Sequence, residues 1–272
     1  MRLRATVTII FLGLAAHVFG YSSNTNPAPT NNLSHLFEVM YLSTHSDEEN
    51  MRLHKQELFD IAAVIKTKQQ KWNNDTRLLG HLFDKVQRHY LKNYSPYESF
   101  QNLFNKGKYN CLTGTMLFAL FLSELNYDFE IIETNYHIYL LISTPSKRFV
   151  IESTDPYAGF IYDEQQIEEY IARIHKEEKE RLTKSASFTY QEDHNVSYNE
   201  LIGIQYYNRA VTAYIAEDYE LALSQLDLAV QYYPSVRAKE FFVYLLSDIK
   251  NKKVLPGFQE NKYSNLQRLA ML

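Results

Sequence analysis

The only cysteine of the chain, Cys111, stands where a thiol can act as a nucleophile. Asn110 directly before it is a favourable N-cap residue, and an apolar run follows at 112–125. Cys111 is therefore predicted in the first turn of a buried helix, where the helix dipole and unpaired backbone N–H groups favour a thiolate. The thiolate is the reactive form of cysteine, and the same N–H groups can bind the oxyanion that forms when it attacks a carbonyl.

A nucleophilic cysteine needs a base, and the candidate is His137. Three runs rich in Ile, Phe, Tyr and Val predict strands at 129–133, 137–144 and 148–154. His137 opens the second run, and Asp155 directly follows the third. The predicted order is a buried helix followed by a three-stranded antiparallel meander that carries both polar side chains.

The register of the hairpin decides which acid meets His137. If the turn has three residues, Thr144 pairs with Arg148, and His137 then lies directly opposite Asp155. The carboxylate can then accept a hydrogen bond from the imidazole and fix its tautomer. Glu152 is the alternative acid, but in this register it points to the other face of the sheet, and a shift of one residue would offset the predicted pair. We therefore predict Cys111, His137 and Asp155 as the catalytic group.

About residues 95–160 resemble the transglutaminase-like superfamily, whose core is a circularly permuted relative of the papain fold. The resemblance implies Cys111 as nucleophile, His137 as base and Asp155 as the acid that orients the base, and it implies no metal or organic cofactor. The residues that carry it form three stretches: Asn110-Cys111-Leu112-Thr113-Gly114-Thr115, Tyr136-His137-Ile138-Tyr139 and Glu152-Ser153-Thr154-Asp155-Pro156.

Two features depart from many members of that superfamily. The cysteine is followed by Leu-Thr-Gly, and no tryptophan adjoins it. The side chain that would complete an oxyanion hole therefore stays open among Asn110, Tyr109 and Gln101.

The composition excludes several classes of protein. With 45% hydrophobic and 22% charged residues over 272 positions, the chain can bury a sizeable core. A net charge of −4 gives no overall basic character for binding nucleic acid. A mean hydropathy of −0.37 excludes a polytopic membrane protein. The single cysteine excludes an intramolecular disulfide and metal sites built on several cysteines.

Residues 1–20 have the pattern of a cleaved signal peptide. Arg2 and Arg4 precede an uncharged, mostly apolar run at 5–19, and Gly20 is small enough for a cleavage site. The run is somewhat short for a membrane span, although an N-terminal anchor is the alternative. The expected protein is secreted or periplasmic, with no integral membrane segment after removal of the signal.

Residues 33–184 are predicted to form one domain with an α+β fold. Apolar residues at helical spacing predict a helical N-terminal part between residues 33 and 104. The transglutaminase- or papain-like core, with its buried helix and antiparallel sheet, follows this part. Charges of both signs at 163–184 predict a further helix with one solvated face, and the polar stretch 185–200 predicts a loop or linker.

Residues 201–250 are similar to one tetratricopeptide repeat followed by a further helix. Small residues at Ala210, Ala222 and Ala229 would let two helices approach closely, and Pro234 would end the second helix. The alternative is an ordinary helical hairpin. A single repeat cannot bury its apolar face alone, so this α-helical C-terminus is expected to pack on the preceding domain or on a protein partner.

These patterns lead to two hypotheses of function. The first is a secreted cysteine-dependent acyl-transfer enzyme with a protein or peptide substrate, in which peptide or isopeptide hydrolysis is favoured over cross-linking. The second is a non-catalytic module that binds a protein or peptide through the helical repeat.

Overall fold

The first third of the described chain is helical, as the spacing of its apolar residues predicts. The computed structural model describes residues 33–42, 48–184, 193–254 and 262–271, so the predicted signal peptide at 1–20 lies outside the described residues. No helix among the described residues is long and apolar enough to cross a bilayer. The three N-terminal helices are α1 (Leu33–Leu42), α2 (Glu48–Lys71) and α3 (Asp75–His89).

A helix that is buried on every side lies at the centre of the fold. All of its residues from Leu112 to Ser123 are buried, because the segment is apolar around its whole circumference. Its start is fixed by a capping box: Thr113 N donates to Asn110 Oδ1 (2.9 Å), and Asn110 N donates to Thr113 Oγ1 (3.0 Å). The elements up to this point are β1 (Asn93–Tyr94), α4 (Phe100–Lys106), β2 (Lys108–Tyr109) and the buried helix α5 (Cys111–Glu124).

A five-stranded antiparallel sheet packs against α5, which makes the chain an α+β protein. The three predicted strands form its centre, and two short strands that the sequence analysis did not predict pair at its edges, in the order β6-β5-β4-β3-β7. The face away from α5 is covered by the charged helix α6, which buries Ile167 and Tyr170 against it. The elements are β3 (Asp128–Glu133), β4 (Ile138–Ser143), β5 (Arg148–Ile151), β6 (Phe160–Ile161), α6 (Glu164–Lys184) and β7 (His194–Asn195).

The predicted register between β4 and β5 is wrong by one residue. Arg148 pairs with Ser143 and not with Thr144, because Thr144 belongs to the turn and its N–H and Oγ1 donate to the carbonyl of Lys147. This shift reverses which side chains share a face. Glu152 now continues β5 on the face that His137 occupies at the start of β4.

Helices make up the C-terminal region, and they begin earlier than predicted. The described part of the stretch predicted as a linker, from Asp193 onward, carries β7 and the start of the next helix, which Ser197 caps. Ala210, Ala222 and Ala229 are fully buried between the first two helices, and Asp218 caps the second. The helices are α7 (Tyr198–Ile215), α8 (Tyr219–Tyr232), α9 (Val236–Lys252) and α10 (Ser264–Met271).

A buried polar cluster joins the C-terminal helices to the sheet. Glu133 at the end of β3 accepts hydrogen bonds from Arg237 of α9 and from the hydroxyl of Tyr233 (2.8 Å). His194 of β7 lies 3.1 Å from the same carboxylate. Glu133 is 5% exposed and Arg237 is 25% exposed, so the ion pair holds α9 beside the sheet in a largely desolvated setting.

Candidate active site

Cys111 is the first residue of α5, as the sequence predicts, and its side chain is partly exposed. Its backbone N–H and that of Leu112 have no partner within the helix and can donate to an anion beside the thiol. Gly114 lets this end of the helix approach the chain after β5, since a Cβ at Gly114 would lie 2.6 Å from Ser153 Oγ. That hydroxyl donates to the Cys111 carbonyl (3.3 Å), which brings the nucleophile close to the third central strand.

His137 lies between the thiol and a buried carboxylate. Its Nε2–H donates to Glu152 Oε2, and its ring lies beside Cys111 in the lining of two cavities. Because Nε2 is occupied by the acid, Nδ1 is the nitrogen that remains for the thiol. Only 19% of the His137 side chain and 7% of the Glu152 side chain are exposed, so the group is largely protected from water.

The charges of this group reinforce one another. Burial alone would lower the pKa of His137, but the neighbouring side chain of Cys111, the hydrogen bond to Glu152 and the attraction of their negative charges raise it to about 10. Burial alone would raise the pKa of Glu152, but the imidazolium and two hydroxyl donors lower it to about 2. At neutral pH, His137 is therefore a cation beside Cys111, and a cation there favours the thiolate.

Three further hydrogen bonds hold the Glu152 carboxylate in place. Tyr170 of α6 donates its hydroxyl to Oε2 (2.6 Å), and Thr154 donates its N–H (2.7 Å) and its hydroxyl (2.5 Å) to Oε1. A carboxylate that accepts this many donors is fixed in position and in its ionised state. Glu152 therefore has the partners expected of an acid that orients a catalytic base.

The prediction that Asp155 orients His137 is wrong. Asp155 Oδ1 accepts the backbone N–H groups of Tyr157 (3.0 Å) and Ala158 (2.9 Å), so its side chain stabilises the turn after β5. Asp155 still lines a cavity beside Cys111 and His137. The physical reason is the register between β4 and β5, which differs by one residue from the predicted one. It places Glu152 on the face of the sheet that carries His137 and leaves Asp155 off that face.

A second buried acid, Glu178 of α6, holds the turn that carries His137. Its carboxylate accepts hydrogen bonds from Thr134 Oγ1, from Asn135 Nδ2 (3.3 Å) and from the backbone N–H of Tyr136 (3.0 Å). Thr134 Oγ1 in turn accepts the N–H of His137 (3.1 Å). The sequence analysis missed Glu178, because a charged helix gives no signal for one glutamate that faces inward.

Replacing Glu178 with glutamine is expected to slow acylation of Cys111 by about tenfold. An amide cannot accept hydrogen bonds from all three donors. The turn that carries His137 is then held less firmly, and a small displacement of the imidazole weakens its contact with the thiol. The rate is measured with a small activated ester, and folding is checked by circular dichroism. Glu180→Gln on the exposed side of the same helix is the matched control. Equal rates for the two variants would contradict a positioning role for Glu178.

The structure adds Tyr94 to the three side chains that the sequence left open for the oxyanion hole. Asn110 is engaged by the helix cap and by the Glu98 carbonyl (3.1 Å), while Tyr109 and Gln101 line neither cavity that contains Cys111. Tyr94 lines both cavities beside Cys111. Burial and the charges of Cys111 and Glu152 raise the pKa of Tyr94, so its hydroxyl stays protonated and can donate.

Two cavities meet at Cys111 and His137. The larger, of about 740 Å³, extends between the turn after β3 and helices α7 and α9. The smaller, of about 370 Å³, extends toward α6 and is lined by Glu152, Asp155 and Arg173. A substrate that passes over Cys111 would therefore contact both the sheet and the C-terminal helices.

Among the described residues, no cluster of three or more His, Cys, Asp or Glu side chains could hold a metal ion. Comparisons with protein-family models, with curated proteins and with solved structures found no match for this chain. The geometry of the site is therefore the basis for assigning a function.

Proposed function

We propose that this chain is a secreted cysteine-dependent acyl-transfer enzyme that acts on peptide or isopeptide bonds. One observation carries the proposal: Cys111, at the start of α5, and His137 line the same two cavities, and His137 donates its Nε2–H to the buried carboxylate of Glu152. Such an arrangement of thiol, imidazole and acid is the one that nucleophilic acyl transfer requires. Glu152 takes the role for which the sequence suggested Asp155.

The proposed reaction starts with Cys111 as a thiolate and His137 as an imidazolium. The Cys111 thiolate attacks the carbonyl carbon of the substrate, and the resulting oxyanion accepts the N–H groups of Cys111 and Leu112 at the helix start. The His137 imidazolium then gives its Nδ1 proton to the leaving amine, which departs as the C–N bond breaks and leaves a thioester. Neutral His137 takes a proton from water, the hydroxide attacks the thioester, and the thiolate is regenerated as the acid leaves.

The finer fold is part of the same proposal. Three residue types follow one another here in the order of the transglutaminase-like superfamily: a cysteine at the start of a buried helix, a histidine before the second strand after that helix, and an acid after the third strand. This order supports a core of that type. Glu152 in place of an aspartate departs from the expected pattern. Hydrolysis is favoured over cross-linking because water is abundant in an extracytoplasmic compartment.

A second candidate is a non-catalytic module that binds protein or peptide through the C-terminal helices. Ile215 and Tyr244 on these helices expose 66% and 55% of their surface, and apolar residues this exposed favour contact with a partner. In this candidate, His137 would not increase the reactivity of the Cys111 thiol.

The effect of His137 on the reactivity of the thiol separates the two candidates. A protonated imidazole beside Cys111 favours its reaction as a nucleophile, so alkylation of Cys111 by iodoacetamide at pH 6 is expected to be at least about tenfold slower in His137→Ala than in the wild type. Mass spectrometry measures the rate, and Cys111→Ala controls for labelling elsewhere. Equal rates for the wild type and His137→Ala would overturn the enzyme proposal.

A further inference from the structure

The larger cavity has the size of a ligand site and begins at the nucleophile. Its volume of about 740 Å³ falls within the range of small-molecule and peptide side-chain sites, and Cys111 and His137 form one end of it. The other end is formed by α7 and α9. The C-terminal helices therefore make one wall of the cleft in which the reacting bond would lie.

The side chains on this wall are mostly apolar or aromatic. Tyr207, Val211 and Ile215 follow one another at helical spacing along α7, and Phe241 and Tyr244 face the same cavity from α9. Ile215 is 66% exposed, although an isoleucine in a monomeric protein is usually buried. These side chains of α7 and α9 form an apolar stripe, which provides contact area for an apolar group that enters the cavity.

Besides His137, the charged side chains that line this cavity each already have an interaction partner: Glu133, Arg181, Arg237 and Glu240. Glu133 and Arg237 line it, but they form an ion pair, and Tyr233 satisfies the second carboxylate oxygen of Glu133. Arg181 at the opening lies over the ring of Tyr136, 5.9 Å from its centroid. A charged side chain of a substrate would therefore lose its hydration in this cavity without gaining a free partner at its base.

The smaller cavity on the other side of His137 has a different character. It is lined by charged side chains from α6, Arg173 and Glu177 among them, and by Asp155. The two sides of Cys111 therefore differ: the larger cavity is lined mainly by apolar and aromatic side chains, and the smaller one mainly by charged side chains.

From this contrast we infer that the cleft beside α7 and α9 is a specificity site for a peptide whose residue next to the reacting carbonyl is aromatic or large and aliphatic. The inference rests on the proposed function, because it names the substrate class of the same site. It assigns to the C-terminal helices the selection of substrate rather than the binding of a separate partner.

Direct binding tests the inference independently of turnover. Four fluorescein-labelled hexapeptides are used, which carry Phe, Leu, Ala or Asp at one position and are otherwise identical. Each is titrated with the Cys111→Ala variant, and its binding is followed by fluorescence polarisation. The Phe and Leu peptides are expected to bind at least about tenfold more tightly than the Ala and Asp peptides. Equal affinities for all four would overturn the inference.

Variants locate the preference in the structure. Val211→Asp should lower the ratio of the affinities for the Phe and Ala peptides by at least about tenfold. Val243→Asp changes an exposed residue of α9 outside the cavity and should leave this ratio unchanged. Ile215→Asp changes an exposed residue of the same stripe and carries the test if Val211→Asp does not fold. Unchanged preference in the folded variants would overturn the inference.

The two proposals fail in different ways. With wild-type protein, thioesters of the same peptides report acylation of Cys111 by mass spectrometry. Acylation at equal rates for all four peptides would leave the enzyme proposal standing and reject the apolar site. Selective binding without any acylation would keep the apolar site and reject the enzyme.

Discussion

Replacing Glu152 with glutamine is expected to lower the rate of acylation of Cys111 by at least about 100-fold. The amide can still accept one hydrogen bond from His137, but it no longer offers a negative charge to stabilise the imidazolium. The pKa of His137, now raised to about 10, should fall toward that of a free imidazole, about 6.5. Because acyl transfer needs the protonated imidazole to release the amine, the alkaline limb of the pH–rate profile should move to lower pH.

Asp155→Asn is the matched control for this prediction. Both acids line the smaller cavity, but the Asp155 side chain serves the turn after β5. Its replacement should change the acylation rate by less than about threefold and leave the pH profile in place. A large loss with Asp155→Asn and a small one with Glu152→Gln would return the orienting role to Asp155.

The second large effect concerns stability. Arg237→Met is expected to lower the free energy of unfolding by about 3 kcal/mol, because it leaves the Glu133 carboxylate in a site where only 5% of it reaches solvent. Although burial opposes its ionisation, Arg237 and His194 hold the pKa of Glu133 below its usual range. Without Arg237, that carboxylate must bind a proton or remain charged with fewer partners.

Arg148→Met provides the comparison for an exposed ion pair. Arg148 bonds Glu164 and Glu168, whose side chains are 60% and 63% exposed, so the loss should be below about 1 kcal/mol. Urea unfolding followed by circular dichroism measures both variants. Similar losses for the two arginine variants would contradict a structural role for the buried pair.

Local patterns in the sequence were enough for the elements that carry the nucleophile. Asn110 before an apolar run predicts the cap and the burial of α5, and both are confirmed. The small residues and Pro234 likewise predict the helical hairpin of α7 and α8. Caps, turns and periodicity act between near neighbours, so one stretch of sequence contains their whole cause.

The identity of the acid could not be predicted with the same security. It depends on whether Thr144 ends a strand or begins a turn, and in the structure both its N–H and its hydroxyl donate to the Lys147 carbonyl, which places it in the turn. A difference of one residue there exchanges the faces of all residues beyond it. The Glu133–Arg237 pair and the Glu178 contacts join positions far apart in sequence, and no local pattern announces such partners.

The distance along the chain between the nucleophile and the far wall of the larger cavity has a consequence for biosynthesis. Cys111, His137 and Glu152 are all made before the ribosome reaches α7, and Glu133 precedes its partner Arg237 by 104 residues. A nascent or truncated chain therefore already contains the thiol, the imidazole and the carboxylate but lacks one side of the cavity. Completion of the C-terminal helices is the last step in building that cavity, so we expect the inferred specificity site to be absent from a chain cut before α7.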